Sequence, residues 1–211
     1  MAIMHNTSII LVERSIRKRG KVTYALVTDG LSERVLVRKL KQGDEQAFAH
    51  LVKLYETRVY NMAYRITGSR EDAEDITQET FLGIHSGMTR FKGASKLSTW
   101  IYRIAMNHCL EHTRRHRPEM LPLQDDVIHS PSSNDPQLSA EQACTSDAIQ
   151  RALLGLSYEH RQVVVLHELQ ELTYSEIADS LGIPIGTVKS RLFNAMRRLK
   201  DLLTDFASDG E

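Results

Sequence analysis

The sequence predicts an all-α protein made of two small helical domains that are joined by a flexible acidic linker. Apolar residues recur every three or four positions on both sides of residues 121–137, which is the spacing of amphipathic helices. Residues 121–137 contain three prolines and three serines and lack this period, which is typical of a linker. The 211 residues are 41% hydrophobic, which suffices for two small cores.

Three helices are expected before the linker. The first covers residues 45–67, and Asp44 is placed to cap its N-terminus. The second follows Ser69, whose hydroxyl can serve as the N-cap, and ends near residue 85. The third covers residues 98–116. Together these helices predict a small bundle.

Four further helices are expected after the linker, and the last two form a helix-turn-helix. Their predicted ranges are residues 148–156, 159–169, 174–181 and 184–203. Thr173 and Glu176 fit a capping box at the start of the third of these helices. Gly182 supplies the left-handed residue that ends it, and Pro184 is tolerated because it stands at the start of the next helix. The inward positions of the pair are Ile177, Ala178, Leu181, Ile183, Val188 and Leu192.

The outward face of the last helix carries side chains that suit a DNA groove. These are Thr187, Lys189, Ser190, Phe193, Asn194 and Arg197. Lysine can bond guanine acceptors or phosphate, serine and asparagine can bond either, and an aromatic ring can pack on a thymine methyl. An ordinary helical hairpin with a solvated polar face would look similar. Because the capping box, the turn glycine, the small Ala178 and the basic face coincide, the pattern favours DNA binding.

Charge is distributed in blocks although the net charge of the chain is zero. Residues 91–117 hold six Lys and Arg against one Glu, a net charge of +5. Residues 118–146 hold five Asp and Glu and neither Lys nor Arg, a net charge of −5. The basic block therefore predicts a polyanionic partner.

Composition argues against a membrane or secreted protein. No segment is long and apolar enough to span a bilayer, and the early apolar run at residues 8–12 is followed by charged residues, the wrong order for a secretory signal. Two cysteines are too few for a disulfide framework. We therefore expect a cytoplasmic protein with reduced thiols. Residues 9–27, around Gly20, are expected to form a basic hairpin or to stay disordered.

Three segments together resemble one protein family. They are DAEDITQETFLGIH (residues 72–85), FKGASKLSTWIYRIAMNHCLEHTRRHR (residues 91–117) and LSYEHRQVVVLHELQELTYSEIADSLGIPIGTVKSRLFNAMRRLK (residues 156–200). In this order they resemble bacterial RNA polymerase sigma factors of the extracytoplasmic-function (ECF) class. The resemblance covers residues 31–206.

The resemblance implies a domain organisation. Residues 30–117 correspond to sigma region 2, and residues 143–206 correspond to sigma region 4, which includes the helix-turn-helix. Residues 118–142 are the linker between them, which in the family runs near the RNA exit path of the polymerase. Residues 1–29 form an N-terminal extension outside the resemblance, and residues 207–211 form a tail.

The resemblance also implies a role for each segment, and the first is to bind the core polymerase. The expected contact residues are Asp72, Asp75, Gln78, Glu79 and Leu82. They recur at three- and four-residue steps and so share one face of a helix. Acids around an apolar contact suit a basic partner helix. From the residues alone, a solvated acidic face near a helix N-terminus would be the simpler interpretation.

The second implied role is to bind and melt the −10 promoter element. The expected contact residues are Phe91, Lys92, Ser95, Lys96, Ser98, Arg103, Asn107, Arg114 and Arg115. The loop between Phe91 and Trp100 can wrap an extruded base of the non-template strand. Trp100 itself could stack on a base, but its stripe of apolar neighbours favours a position in the core.

The third implied role is to read the −35 element in the major groove. The expected contact residues are Thr187, Lys189, Ser190, Phe193, Asn194 and Arg197, the outward face of the last helix. The resemblance thus implies core RNA polymerase and promoter DNA as partners. It also implies an anti-sigma factor as the inhibitor.

Parts of the sequence are also compatible with two other functions. A stand-alone helix-turn-helix regulator would need only residues 174–203. A metal enzyme could use His108, His112 and His116, which lie at four-residue steps beside Cys109. No firm third ligand accompanies these histidines, so structural or phosphate contacts are the favoured interpretation. Neither a phosphate-binding glycine loop nor a nucleophile elbow is found. The sequence therefore predicts no catalytic site, no metal and no cofactor.

Overall fold

A computed structural model describes residues 30–116 and 140–208, and these residues form α-helices, short turns of tighter or wider helix, and loops. In chain order the helices are α1 (Gly30–Lys41), α2 (Glu45–Thr67), α3 (Arg70–Gly87), α4 (Leu97–His116), α5 (Ala140–Leu154), α6 (Tyr158–Val164), α7 (Tyr174–Leu181) and α8 (Ile185–Ser208). We call α1–α4 the first module and α5–α8 the second module. The described residues contain no strand, and the all-α prediction is confirmed.

The predicted helix caps are present in the first module. The Asp44 side chain accepts the backbone N–H of Ala47 at 2.9 Å, and the Ser69 hydroxyl accepts that of Asp72 at 3.2 Å. Each bond satisfies a donor that the first turn of a helix leaves unpaired. Between the two helices, Gly68 has a φ of 77° and ends α2 in the left-handed conformation.

The core of the first module lies where α2, α3 and α4 pack against each other. Its fully buried side chains include Leu51, Val59, Met62, Ile76, Ile84 and Ile101. Burial of one such side chain contributes about 1.5–3 kcal/mol. Trp100 is 8% exposed and belongs to this core, so its predicted core position is confirmed.

Helix α1 was not predicted from the sequence. The apolar residues of α1 do not form a continuous buried stripe, because Leu40 is buried whereas Val35 is 42% exposed. The helix is tied to the rest of the module by a side chain. The Glu33 carboxylate accepts the backbone N–H of Leu97 at 3.0 Å and so caps the distant helix α4.

The second module departs from the predicted boundaries in two places. Helix α5 begins at Ala140, eight residues before the predicted start at residue 148. It therefore overlaps the predicted linker, residues 118–142. The predicted helix at residues 159–169 is α6 followed by a wider π-helical turn, Val165–Leu169. The predicted N-terminal hairpin and most of the predicted linker lie outside the described residues.

The helix-turn-helix is built as predicted. Thr173 and Glu176 form a reciprocal capping box, in which the Thr173 hydroxyl accepts the N–H of Glu176 and the Glu176 carboxylate accepts the N–H of Thr173. Gly182 ends α7 with a φ of 65°. Of the inward residues, Ile177, Ala178, Val188 and Leu192 are buried, and Leu181 and Ile183 pack partly buried against the core.

The two modules pack directly against each other. Arg161 of α6 is almost completely buried. Its guanidinium donates to the carbonyls of Leu153, Leu154 and Leu156 in its own module and to the Ile66 carbonyl in the first module. Buried cationic groups are tolerated when such bonds replace their lost hydration. This side chain therefore joins the end of α5 to the end of α2.

Candidate protein and DNA interfaces

The predicted polymerase-binding face of α3 is exposed over most of its length. Asp75, Gln78, Glu79 and Leu82 are exposed, and Leu82 shows 65% of its surface to solvent. We call Asp72, Asp75, Gln78, Glu79 and Leu82 the acidic face of α3. A leucine that is surrounded by carboxylates and left open in this way suits a protein contact.

One edge of the acidic face contacts histidines of α4. Glu79 lies 3.3 Å from Nδ1 of His108, and Asp72 lies 3.9 Å from Nε2 of His112. Asp72 is consequently half-buried and the least accessible member of the face. In the part of the chain that the structure describes, no group of three or more His, Cys, Asp or Glu side chains could hold a metal ion.

The other edge of the acidic face borders an apolar groove between α2 and α3. Its lining includes Phe48, Val52, Tyr60, Phe81 and Leu82, and its volume is about 770 Å³. Phe48 and Val52 continue the helical spacing of the buried residues of α2, yet both are only partly buried. Their exposure depends on how closely α3 approaches α2, which the helical period does not show.

The residues predicted to bind the −10 element differ in their exposure to solvent. Lys92, Arg103, Asn107, Arg114 and Arg115 are exposed, and Ser95 and Ser98 are half-buried. Arg115 is paired with Glu111 one turn earlier.

The prediction for Phe91 requires correction. Its side chain is 5% exposed, because its ring packs on Trp100 with the centroids 5.0 Å apart, so it supports the loop from the core.

Lys96 makes a contact that the sequence did not suggest. Its ammonium lies 2.8 Å from the Glu176 carboxylate of the second module. Glu176 is also part of the capping box of α7. Burial opposes ionisation of Glu176, but the Lys96 contact and the Thr173 bonds outweigh it and lower the pKa of Glu176. The same bond raises the pKa of Lys96.

The loop borders a large cleft between the modules. The cleft has a volume of about 1150 Å³, and Ser95, Lys96 and Ser98 line it. Four further cations line it, namely Arg34, Arg38 and Lys41 of α1 and Arg58 of α2. The sequence did not indicate these residues, because its most basic block begins at Phe91. The second module contributes the carboxylates of Glu171 and Glu176 to the same cleft.

The predicted −35 residues form an open face on α8. Lys189, Ser190, Phe193, Asn194 and Arg197 are exposed, and Thr187 is half-buried. Phe193 has 69% of its surface in contact with solvent. Arg191, between them in sequence, turns back and pairs with Glu159 of α6. The exposed side chains of this face are of the kinds that can bond or pack against base edges in a major groove.

Comparison with known proteins decides the family. Residues 51–119 match Sigma-70 region 2, and residues 146–199 match Sigma-70, region 4. Together the two matches cover more than half of the chain.

The chain belongs to the ECF RNA polymerase sigma factors. It is 33% identical over 178 residues to the ECF RNA polymerase sigma factor SigW of Bacillus subtilis, which covers 80% of this chain and 95% of that protein. It is 35% identical over 173 residues to the ECF sigma factor SigE of Mycolicibacterium smegmatis, which covers 79% of this chain and 66% of that protein. The predicted role as an alternative sigma factor is confirmed, and these similarities do not support a stand-alone regulator.

Solved structures agree with the fold of an ECF sigma factor. CnrH, solved in complex with the cytosolic domain of CnrY, has a TM-score of 0.62 at 21% identity and covers 82% of this chain and 97% of that one. The sigma factor RpoE of Bartonella quintana, solved with the anti-sigma factor NepR, has a TM-score of 0.58 at 24% identity and covers 74% and 96% of the two chains. Within the described ranges, no helix is long and apolar enough to cross a membrane.

Proposed function

We propose that this sigma factor binds core RNA polymerase through the acidic face of α3 and directs transcription from promoters that its two modules recognise. The observation that carries the proposal is the exposed Leu82, which stands among acids beside the apolar groove of α2 and α3. An apolar contact within a ring of charge favours a specific basic partner helix.

The DNA-binding roles follow from the exposed residues of each module. In the first module, Lys92, Ser95, Lys96, Ser98, Arg103, Asn107, Arg114 and Arg115 bind the −10 element. In the second module, Thr187, Lys189, Ser190, Phe193, Asn194 and Arg197 read the −35 element. The exposure of Lys189 and Phe193 supports this reading face, and the basic side chains of α4 suit the phosphate backbone.

Three further features belong to the proposal. The chain has no catalytic site of its own, because the polymerase performs the chemistry. It acts in the cytoplasm, and an anti-sigma factor inhibits it, as the anti-sigma factor NepR accompanies a sigma factor of similar fold. Its functional domains are residues 30–117 and 143–206, which contain most of the two family matches.

Run-off transcription tests the proposed function. Purified chain is mixed with bacterial core enzyme and a library of genomic fragments, and the transcripts are sequenced. We expect discrete start sites that are absent from core enzyme alone. Weak binding of the isolated chain to duplex DNA is also expected. Tight footprints on palindromic DNA without core-dependent initiation would instead favour a stand-alone regulator.

A further inference from the structure

Two histidines of α4 face the edge of the acidic face of α3. Nδ1 of His108 lies 3.3 Å from the Glu79 carboxylate, and Nε2 of His112 lies 3.9 Å from the Asp72 carboxylate. The two histidine side chains are only 24% and 14% exposed. The packing of α4 on α3 therefore holds each imidazole beside one carboxylate of the face.

A close approach of the two helices at Gly83 fixes the position of His108. Gly83 lies on α3 one turn after Glu79. A Cβ atom on Gly83 would lie 3.2 Å from Nε2 of His108 and 3.2 Å from a methyl carbon of Ile104. Because glycine has no side chain, α4 comes close enough for His108 to reach across to Glu79.

Three other helices pack on α4, and they contact its opposite side. The contacts of α7, α2 and α6 are made at Thr99, Tyr102 and Met106 of α4, respectively. These positions lie about 120–180° around the helix from His108, at 100° per residue. On the histidine side of α4 the charged neighbours are Glu111 and Arg115, which pair with each other. The charge that His108 and His112 meet across a helix interface therefore comes from α3.

Protonation of the two imidazoles changes the charge of the acidic face. The face carries the carboxylates of Asp72, Asp75 and Glu79. Histidine is the side chain that ordinarily gains its charge between about pH 8 and pH 5. When His108 and His112 become protonated, the net charge of these five side chains changes from −3 to −1. A basic partner helix is then attracted less strongly.

We propose that His108 and His112 are positioning residues for the binding of core polymerase, which hold Glu79 and Asp72 at the edge of the acidic face and weaken the binding when they become protonated. The inference rests on the proposed function, because it assigns a regulation to the same face of α3. It gives a role to two histidines that the sequence alone made candidates for a metal site.

The affinity for core polymerase, measured against pH, tests this inference. The full chain is biotinylated and immobilised, and bacterial core polymerase is titrated onto it at constant ionic strength, at about pH 8 and at about pH 6. Biolayer interferometry gives the dissociation constants. We expect Kd to be roughly fivefold larger at the lower pH, since two partly exposed ion pairs inside the chain then compete with the partner.

Histidine variants separate the chain from the polymerase, whose own groups also titrate. His108→Gln combined with His112→Gln keeps two polar side chains that stay neutral. Its Kd should lie within about twofold of the unaltered chain at the higher pH and should hardly change at the lower pH. His50→Gln is the control, because His50 is an exposed histidine of α2. This variant should keep the fivefold change.

A glycine variant tests the geometry while both histidines remain. The methyl group of Gly83→Ala should push His108 away from Glu79, so the change in Kd between the two pH values should fall to roughly twofold, the share of one ion pair. Gly186→Ala on α8 is its matched control, because a Cβ atom there meets nothing within 4 Å. Circular dichroism checks the fold of every variant.

The outcomes distinguish this inference from the proposed function. An equal pH dependence in the unaltered chain and the double histidine variant overturns the inference, and so does a loss of affinity in that variant by the same factor at both pH values, which indicates a merely structural role. An unchanged pH dependence in Gly83→Ala overturns the positioning by His108. Failure of the unaltered chain to bind core polymerase at either pH contradicts the proposed function, and the inference falls with it.

Discussion

At the residue scale, Glu171 carries backbone strain next to the helix-turn-helix. It is the non-glycine residue with a positive φ, 54°, within the described ranges. It stands where the chain leaves the π-helical turn, and the following N–H, of Leu172, returns to the Leu166 carbonyl at 3.1 Å. A left-handed conformation costs an ordinary L-residue about 1–2 kcal/mol.

Replacement of Glu171 by glycine should therefore stabilise the protein. We expect a gain of about 0.5–1 kcal/mol, because the greater freedom of glycine in the unfolded chain offsets part of the relieved strain. Urea denaturation followed by circular dichroism measures the change. Glu171→Ala is the control, since it removes the carboxylate and keeps the strain. An equal gain in both variants would attribute the effect to charge.

Two side chains of α8 should carry separable parts of −35 recognition. Lys189→Ala and Phe193→Ala should each weaken binding to the upstream element by about 1–3 kcal/mol, the usual contribution of one base contact. Transcription from a set of single-base promoter variants, with core enzyme present, measures the effect. Arg191→Ala is a matched control, because Arg191 pairs with Glu159 and turns away from the groove face. Unchanged promoter preference in both variants would refute this assignment.

At the scale of one element, α3 has one side buried in the core and an opposite, exposed side that we propose binds core polymerase. Its buried residues Ala73, Ile76 and Ile84 fix it to α2 and α4. The acidic face remains exposed apart from Asp72, which contacts His112, and Glu79 contacts His108 from its exposed position. Substitutions on the open part should therefore change binding without changing the fold.

Charge reversal on α3 should abolish binding to core polymerase. Asp75→Lys combined with Glu79→Lys replaces two exposed carboxylates, so a basic partner helix would be repelled. Analytical size-exclusion chromatography with core enzyme measures complex formation, and circular dichroism checks the fold. Asp179→Lys combined with Asp201→Lys makes the same charge change on exposed positions of the second module. Retained binding by the α3 variant would argue against the docking face.

Helix α7 should lose part of its stabilisation in acid. Because the pKa of Glu176 is lowered in the folded chain, its contribution is present above the ordinary pKa of glutamate, about 4.3, and is lost as the pH falls through the lowered value. Urea denaturation at pH values from neutral to acid should show a steeper loss for the unaltered chain than for Glu176→Gln. Parallel curves would contradict this role of the Glu176 carboxylate.

At the scale of the whole molecule, Arg161 links the two modules through buried hydrogen bonds. Its bond to the Ile66 carbonyl spans 95 residues of sequence, and its other bonds hold the end of α5. Beside it, burial strongly raises the pKa of Tyr158, so this tyrosine stays neutral within the interface. Loss of the guanidinium would leave several buried carbonyls without a donor.

Arg161→Met should destabilise both modules together by about 2–4 kcal/mol, since buried carbonyls lose their donors. The single tryptophan, Trp100, lies in the first module, whereas Arg161 lies in the second. Tryptophan fluorescence and far-ultraviolet circular dichroism should consequently show the same shifted urea transition. A fluorescence transition at its original position would mean that the modules unfold independently.

The sequence by itself determined most of the helices, most of their caps, the helix-turn-helix and the family. These features depend on residues within a few positions of each other, such as Asp44 with Ala47 and Thr173 with Glu176, or on motifs in a fixed order. It missed α1, because the apolar side of that helix is weak. The roles predicted for the −35 face of α8 and for the acidic face of α3 remain predictions. Most residues of both faces are exposed, as those roles require.

Only the tertiary structure decided which residues meet across the fold. The burial of Phe91 on Trp100, the pairing of Asp72 with His112 and the contact of Lys96 with Glu176 join different elements. The helical period gives the direction in which a side chain leaves the axis of its helix. It carries no information about the distance to a second helix. The packing of the two modules against each other arises from such contacts, and so the sequence alone does not show it.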